Sequence, residues 1–128
     1  MAKWSDMMVL QEPKKEVFLG QHSVAPAPTE GRKDDSGKAR HDLIPPELPD
    51  AVAQVLAYGA SKYGERNWEK GMAWGRPFAA LMRHMWAWWS GEKQDAETGM
   101  SHLWHAGCCV AFLIAFEARN IGTDDRPK

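Results

Sequence analysis

Apolar residues recur at helical spacing in three parts of the chain. Residues 47–63 carry one buried helix face, formed by Val52, Val55, Leu56, Gly59 and Tyr63. Residues 77–90 carry a stripe expected in the core, formed by Phe78, Leu81, Met82, Met85, Trp86 and Trp89. Residues 101–120 carry two neighbouring stripes, so that helix must be central or lie at a subunit interface. The pattern predicts an all-α fold, a small helical hairpin bundle completed by oligomerisation.

Composition divides the chain into three segments. Residues 1–31 combine two short apolar runs with a segment rich in Ala, Pro, Gly and Ser, which predicts a flexible N-terminal arm. Residues 32–120 form the predicted all-α domain, and residues 121–128 a polar tail. The connector at residues 64–75 contains three glycines and two tryptophans. It is long for a helical bundle, and long ordered loops are disproportionately functional.

Charge and cysteine content exclude several classes of protein. The net charge of −1 lacks the basic excess that duplex nucleic acid requires. The two cysteines are adjacent, which predicts no disulfide framework and favours a reducing, cytoplasmic setting. The longest apolar run, residues 106–116, is shorter than a membrane span. We therefore expect neither duplex nucleic acid nor a membrane as a partner.

Three histidines can meet across the hairpin of the second and third helices. His102 and His105 share a helix face because they are three residues apart. If the acidic loop at residues 91–99 folds at its middle, His84 lies level with them, and the loop adds Glu92 and Asp95. Carboxylates suit magnesium or manganese, whereas imidazoles favour manganese or a zinc-type transition metal. The alternatives are packed or solvated histidines and a loop whose acids only confer solubility.

Basic residues cluster in two places that could hold phosphates. The first group, in the glycine-rich segment, is Lys33, Lys38 and Arg40. The second group flanks the tryptophan connector and consists of Lys62, Arg66, Lys70 and Arg76; there Trp68 or Tyr63 could stack on a base. For each basic residue singly, a solvated surface side chain is the alternative.

Four blocks in the same order carry a family resemblance: residues 37–47, 58–71, 83–92 and 95–106. They include the segments Ile-Pro-Pro-Glu, Lys-Tyr-Gly-Glu-Arg-Asn-Trp, Arg-His-Met-Trp and Ser-His-Leu-Trp-His. Over residues 32–117 the chain resembles the dATP/dGTP diphosphohydrolases of tailed phages and prophages. The resemblance implies hydrolysis of a purine deoxynucleoside triphosphate to the monophosphate and pyrophosphate, in the host cytoplasm if the protein is phage-encoded. It also implies an all-α fold similar to the MazG-like pyrophosphohydrolases.

One departure concerns the metal ligands. The MazG-like enzymes hold a divalent ion through a Glu-Glu-x-x-Glu run and a Glu-x-x-Asp run. At the corresponding places this chain has Ala80, Leu81, His84, His102 and His105. Either the family uses a different ligand set that draws on the loop acids, or its name overstates its catalysis.

The spacing and the resemblance together suggest specific roles. We expect the metal to be held by His84, His102, His105, Glu92 and Asp95, with Glu92 or Asp95 as the catalytic base. We expect the nucleotide to be bound by Lys38, Arg40, Lys62, Asn67, Trp68, Lys70 and Arg83. The expected partner is a second copy of the chain, in a dimer or tetramer. Two alternatives are a non-catalytic protein that sequesters nucleotides and a structural helical hairpin whose tryptophans serve an interface.

Overall fold

The structure, a computed structural model, describes residues 29–128. Most of the predicted N-terminal arm, residues 1–28, lies outside the described residues. The chain divides into two units, Met1–Ile44 and Pro45–Lys128. The described part of the first unit is exposed and contains a turn, in which the Lys38 amide donates to the Asp35 carbonyl, and a 3-10 helix at His41–Leu43.

Three α-helices make up most of the second unit: α1 at Glu47–Tyr63, α2 at Gly75–Trp89 and α3 at His102–Arg119. Within residues 29–128 there is no β-strand, so the predicted all-α class is confirmed. α3 packs against both α1 and α2, which confirms its predicted central place. None of these helices combines the length and the apolar character that crossing a membrane would need.

Local sequence signals fix the helix ends. The Ser101 side chain caps α3 by accepting a hydrogen bond from the Leu103 amide. α3 ends at Asn120, which adopts the left-handed conformation that asparagine tolerates. α1 ends at Gly64, whose φ of 94° disfavours any residue with a Cβ atom.

The connector between α1 and α2 pairs with the C-terminal segment. After a 3-10 helix at Asn67–Lys70, Ala73 forms an isolated parallel bridge with Thr123. The Trp74 indole donates to the Ile121 carbonyl at 2.9 Å, and Asp125 accepts from the Gly75 amide at 2.7 Å. The first part of the predicted polar tail therefore anchors the start of α2.

Except for Leu81, the apolar stripe predicted as the core of α2 faces outward. Its exposed members are Phe78, Met82, Met85, Trp86 and Trp89, and Trp89 alone is 74% exposed. α2 instead turns Pro77 and its half-buried Ala80, Leu81, His84 and Ala87 inward. The prediction was wrong because two faces of α2 could pack against the rest of the domain. The face that carries the small residues Ala80 and Ala87 allows the closer approach to α3. Tyr63 at the end of α1 is also exposed, contrary to its predicted burial.

Candidate functional site

The loop between α2 and α3 folds back on itself and carries its acids to the start of α3. Gln94 and Ser101 form an antiparallel bridge, and the Asp95 amide donates to the Met100 carbonyl at 2.8 Å. The His102 amide donates to the Lys93 carbonyl at 2.9 Å. These backbone bonds hold Asp95 beside the first turn of α3. The loop therefore folds back near its middle, as predicted.

The three predicted histidines converge between α2 and α3. His84 Nδ1 lies 2.9 Å from His102 Nδ1, a distance at which one nitrogen donates and the other accepts. The rings of His84 and His105 stack, with centroids 4.6 Å apart and planes 10° apart. His102 is buried, whereas His84 and His105 are half-buried and border a groove.

Asp95 joins this cluster through Thr98. The Thr98 amide donates to Asp95 Oδ2 at 3.0 Å, and the Thr98 hydroxyl lies 3.1 Å from the same oxygen. That hydroxyl also lies 2.7 Å from His105 Nε2, and it accepts from the Met100 amide at 3.2 Å. Thr98 therefore fixes the carboxylate and one imidazole in a single network.

The cluster has the geometry of a metal site. One ligand atom each from His84, Asp95 and His102 lie within 4.8 Å of one another. Two imidazole nitrogens bound to one ion at about 2.0–2.1 Å would be roughly 2.9–3.4 Å apart for angles of about 90–110° at the metal. The 2.9 Å between the two Nδ1 atoms falls at the lower end of that range. A set of two imidazoles and one carboxylate suits a transition metal or manganese better than magnesium.

Electrostatics favour neutral imidazoles at His84 and His105 and an ionised carboxylate at Asp95. Burial lowers the pKa of His84, and the nearby His105 lowers it further. Burial likewise lowers the pKa of His105. Burial by itself would raise the pKa of Asp95, but the hydrogen bonds from Thr98 and the charges of His105 and His84 together lower it below its ordinary value. At neutral pH the two imidazoles are uncharged and Asp95 is ionised, which is the state that binds cations.

A groove of about 1340 Å³ runs from this cluster between α1 and α2 over one face of α3. Its lining includes His84, Asp95 and His105, apolar side chains such as Phe112, and basic side chains. The basic residues of the lining are Lys62, Arg66, Lys70, Arg76 and Arg83. The groove therefore places the His/Asp cluster beside positive charge.

These basic side chains differ in how far their charge is already neutralised. Lys62 Nζ lies 2.6 Å from Glu97 Oε1, which also accepts from the Tyr58 hydroxyl at 2.8 Å. The Glu97 bond raises the pKa of Lys62, so this lysine stays charged. Within residues 29–128, no carboxylate lies within 4.0 Å of the charged groups of Lys70, Arg76 or Arg83. Those three charges are available to an anion.

Trp68 packs on α3 at the far part of the groove. Its ring stacks on Phe112, with centroids 4.8 Å apart and planes 18° apart, and the Arg119 guanidinium lies 5.4 Å from its centroid. The predicted stacking of Trp68 on a base stays a prediction, because a base would have to share this aromatic surface. Asn67 lines the same groove.

The structure brings most of the predicted site residues together. His84, His102, His105 and Asp95 form the cluster, and Glu92 lies on the outer side of His102, with Oε1 3.6 Å from Nε2. The predicted nucleotide residues that line the groove are Lys62, Asn67, Trp68, Lys70 and Arg83. Lys38 and Arg40 belong to the first unit, where Arg40 pairs with Asp42. Their role in binding stays a prediction.

Two residues of the site were not predicted. Thr98 connects Asp95 to His105, and Tyr58 holds Glu97. The Asp-x-x-Thr spacing of Asp95 and Thr98 is a signal that could have indicated the first, since Asp and Thr side chains often bond within one turn. No sequence signal links Tyr58 to a loop 39 residues away.

The fold and the cluster define a class: an all-α protein with a His/Asp cluster beside a basic groove. Residues 28–126 match the family described as dATP/dGTP diphosphohydrolase, N-terminal, and the chain belongs to that family. The chain is 38% identical over 96 residues to a protein of Salmonella phage PMBT28 named dATP/dGTP diphosphohydrolase. This alignment covers 75% of the chain and 33% of that relative, so the chain spans about a third of the relative's length. No solved structure matches the chain, and the MazG-like likeness stays a prediction.

Proposed function

We propose that this protein acts in the metal-dependent hydrolysis of dATP and dGTP to the monophosphate and pyrophosphate. The observation that carries the proposal is the convergence of His84, Asp95 and His102 at a groove that presents unneutralised positive charge. The names of the family and of the phage relative supply the substrate class. The reaction would take place in the cytoplasm, that of the host if a phage encodes the protein.

His84, His102 and Asp95 would hold the divalent ion. When bound, the ion supplies charge that polarises the phosphate chain and makes a water molecule more acidic. His105 supports the set by stacking on His84, and it is neutral at pH 7 because burial lowers its pKa. Of the two acids predicted as base, Asp95 fits a ligand better, since a lowered pKa makes a carboxylate a weak proton acceptor.

The basic residues of the groove would bind the phosphate chain. Lys70, Arg76 and Arg83 carry charges without a carboxylate partner among the described residues, so an anionic ligand gains their full attraction. Lys62 would have to leave Glu97 to contribute. Asn67 and Trp68 stay candidates for contacts to the purine.

The test is incubation with each dNTP and NTP plus Mn²⁺ or Mg²⁺, followed by chromatography of the products. We expect dAMP or dGMP with pyrophosphate from the wild-type protein. A variant carrying His102→Ala and His105→Ala should lose roughly 100-fold or more of this turnover, because it removes one ligand and the imidazole that supports another. The matched control is His41→Ala, which removes a histidine of the first unit. Turnover that survives the double substitution would contradict the proposed site.

The second candidate function is sequestration of a nucleotide without hydrolysis. It is favoured by the ligand set, because the cluster contains one carboxylate, whereas the MazG-like pyrophosphohydrolases that the chain was predicted to resemble use several. In the same experiment, nucleotides that emerge unchanged but comigrate with the protein would support sequestration.

We also propose that a second copy of the chain covers the outward face of α2. The five exposed apolar side chains of that face are Phe78, Met82, Met85, Trp86 and Trp89. At 37–74% exposure each, they present roughly 500 Å² of apolar surface, since such side chains bury about 150–250 Å² each when fully covered. A stable pair of subunits needs about 800 Å² per partner, so this face would supply the centre of an isologous interface.

A further inference from the structure

His102 contains a buried nitrogen that lacks a hydrogen bond. The side chain is 7% exposed, and its Nε2 atom has no hydrogen-bond partner among the described residues. Leaving a buried polar nitrogen unpaired costs about 1–3 kcal/mol. Such atoms are uncommon in native structures, so the free Nε2 calls for a physical explanation.

The two ring nitrogens of His102 face different partners. Nδ1 lies 2.9 Å from His84 Nδ1, on the side of the candidate metal site. Nε2 lies 3.6 Å from Glu92 Oε1. Glu92 therefore approaches a different nitrogen of His102 from the one that meets His84, and it is not among the three residues whose ligand atoms converge, which makes it a poor candidate for a ligand of the same ion.

The charge of Glu92 decides where the proton of a neutral His102 resides. With the proton on Nδ1, the lone pair of Nε2 would face a carboxylate, and the two would repel each other. With the proton on Nε2, an N–H group points towards the carboxylate, and a small movement of the exposed Glu92 side chain completes the hydrogen bond. Nδ1 then keeps the lone pair that a metal requires.

We infer that Glu92 is a positioning residue, which holds the Nε2–H tautomer of His102 and so presents Nδ1 to the metal. This inference rests on the proposed function and reassigns a residue expected to be a ligand or the catalytic base. Outer carboxylates that hold the free N–H of a ligating histidine commonly orient the ring and raise its basicity. In the ion-free protein the same arrangement makes His84 the donor and His102 the acceptor of their mutual hydrogen bond.

Long-range ¹H–¹⁵N NMR of the ion-free protein with labelled histidines tests the tautomer directly. We expect His102 as the Nε2–H tautomer in the wild-type protein and a mixture of both tautomers in Glu92→Ala. Glu92→Gln, which keeps an acceptor oxygen, should restore part of the Nε2–H signal. Glu47→Gln, at the exposed start of α1, is the matched control. His102 as the Nδ1–H tautomer in the wild-type protein would overturn the inference.

Calorimetric titration with Mn²⁺ and steady-state turnover separate positioning from catalysis. We expect Glu92→Ala to weaken Mn²⁺ binding by about 10–100-fold, while turnover at saturating Mn²⁺ stays near the wild-type rate. Unchanged Mn²⁺ affinity with a large loss of kcat would mean that Glu92 is the base, and the inference would be wrong. If the wild-type protein hydrolyses nothing, the proposed function fails, whereas the tautomer measurement still decides the role of Glu92.

Discussion

At the scale of single residues, Thr98 has the most consequential contacts in the site. Its hydroxyl has one proton to share between the Asp95 carboxylate and His105 Nε2. Because an ionised carboxylate can only accept, the proton goes to Asp95, and His105 must donate through Nε2. Thr98 therefore sets the orientation of Asp95, a proposed metal ligand, and the tautomer of His105, whose ring stacks on His84.

Replacing Thr98 by valine should weaken the metal site while leaving the fold intact. Valine has nearly the same shape but no hydroxyl, so the hydroxyl's bonds to Asp95, to His105 and to the Met100 amide are lost. We expect Mn²⁺ affinity to fall about 10-fold or more, measured by calorimetric titration. Thr98→Ser keeps the hydroxyl and should stay close to wild type; equal losses in both variants would show that the methyl group, not the hydroxyl, is needed.

The buried imidazoles also predict how stability depends on pH. The folded-state pKa values of His84 and His105 lie below their ordinary value of 6.5. Between the lowered pKa values and pH 6.5, the unfolded chain therefore binds more protons than the folded protein. Stability should therefore be complete above about pH 6.5 and fall as the pH decreases through the lowered values. Thermal unfolding of the ion-free protein between about pH 8 and pH 5 measures this slope. A variant with His84→Gln and His105→Gln should show a shallower slope, and an unchanged slope would contradict the assignment.

Spacing alone was enough to predict much of this site. His102 and His105 lie one turn apart on a helix, and the loop length places His84 opposite them, so their convergence follows from helix geometry. The division between Asp95 as an inner residue and Glu92 as an outer one could not be predicted. The positions of these two acids depend on the backbone hydrogen bonds of the loop, and no spacing of residue types along the sequence indicates those bonds.

At the scale of elements, the C-terminal segment acts as an external cap for α2. α2 begins without a side-chain cap of its own, and the Asp125 carboxylate accepts from the Gly75 amide. A carboxylate at a helix N-terminus satisfies a free amide and complements the helix dipole. Gly122, with φ of 77°, packs directly against the Met72 backbone and has no room for a Cβ atom.

Asp125→Ala should lower the free energy of unfolding by about 1 kcal/mol. For a domain of this size that is a decrease in Tm of about 4–8 °C, measurable by calorimetry. Asp124→Ala is the matched control, because among the described residues Asp124 pairs with Arg126 and bonds to no amide of α2. A similar decrease in both variants would show that tail charge in general, and not the cap, stabilises α2.

Helix positions were predictable for a physical reason that does not extend to this segment. Each helix is specified by residues three or four apart and by its own end signals, such as Pro46 and Gly64 at α1. The bridge between Ala73 and Thr123 joins backbone segments 50 residues apart, and no periodic pattern of residue types in the sequence indicates it. The burial of the α2 stripe was wrongly predicted for a related reason. Helical periodicity identifies an apolar face of a helix but not the surface that covers that face.

At the scale of the whole molecule, the second unit has little core of its own. Among its described residues the buried apolar side chains are Ala51, Val55, Ala106, Cys108 and Phe116. Large apolar side chains of α2 and α3 are exposed instead, including Leu103, Val110 and Ile114 on α3. A domain with this balance gains stability from association.

Trp86→Glu should therefore dissociate the assembly. A charge at the centre of an apolar interface cannot be buried without a partner, and Trp86 is 61% exposed in the single chain. We expect multi-angle light scattering to give a dimer or tetramer for the wild-type protein and a monomer for the variant. Gln54→Glu, on the exposed side of α1, adds the same charge and should leave the mass unchanged. A monomeric wild-type protein would contradict the proposed interface.

The ion pair between Lys62 and Glu97 has a consequence for ligand entry. Glu97 occupies the place beside Lys62 that a phosphate of the proposed nucleotide would take. Displacing the Glu97 carboxylate would also release Tyr58 from Glu97 and loosen the tie between α1 and the loop that holds Asp95. If the proposed nucleotide binds in this way, Lys62 exchanges the Glu97 carboxylate for a phosphate, and the loop becomes freer at the same time.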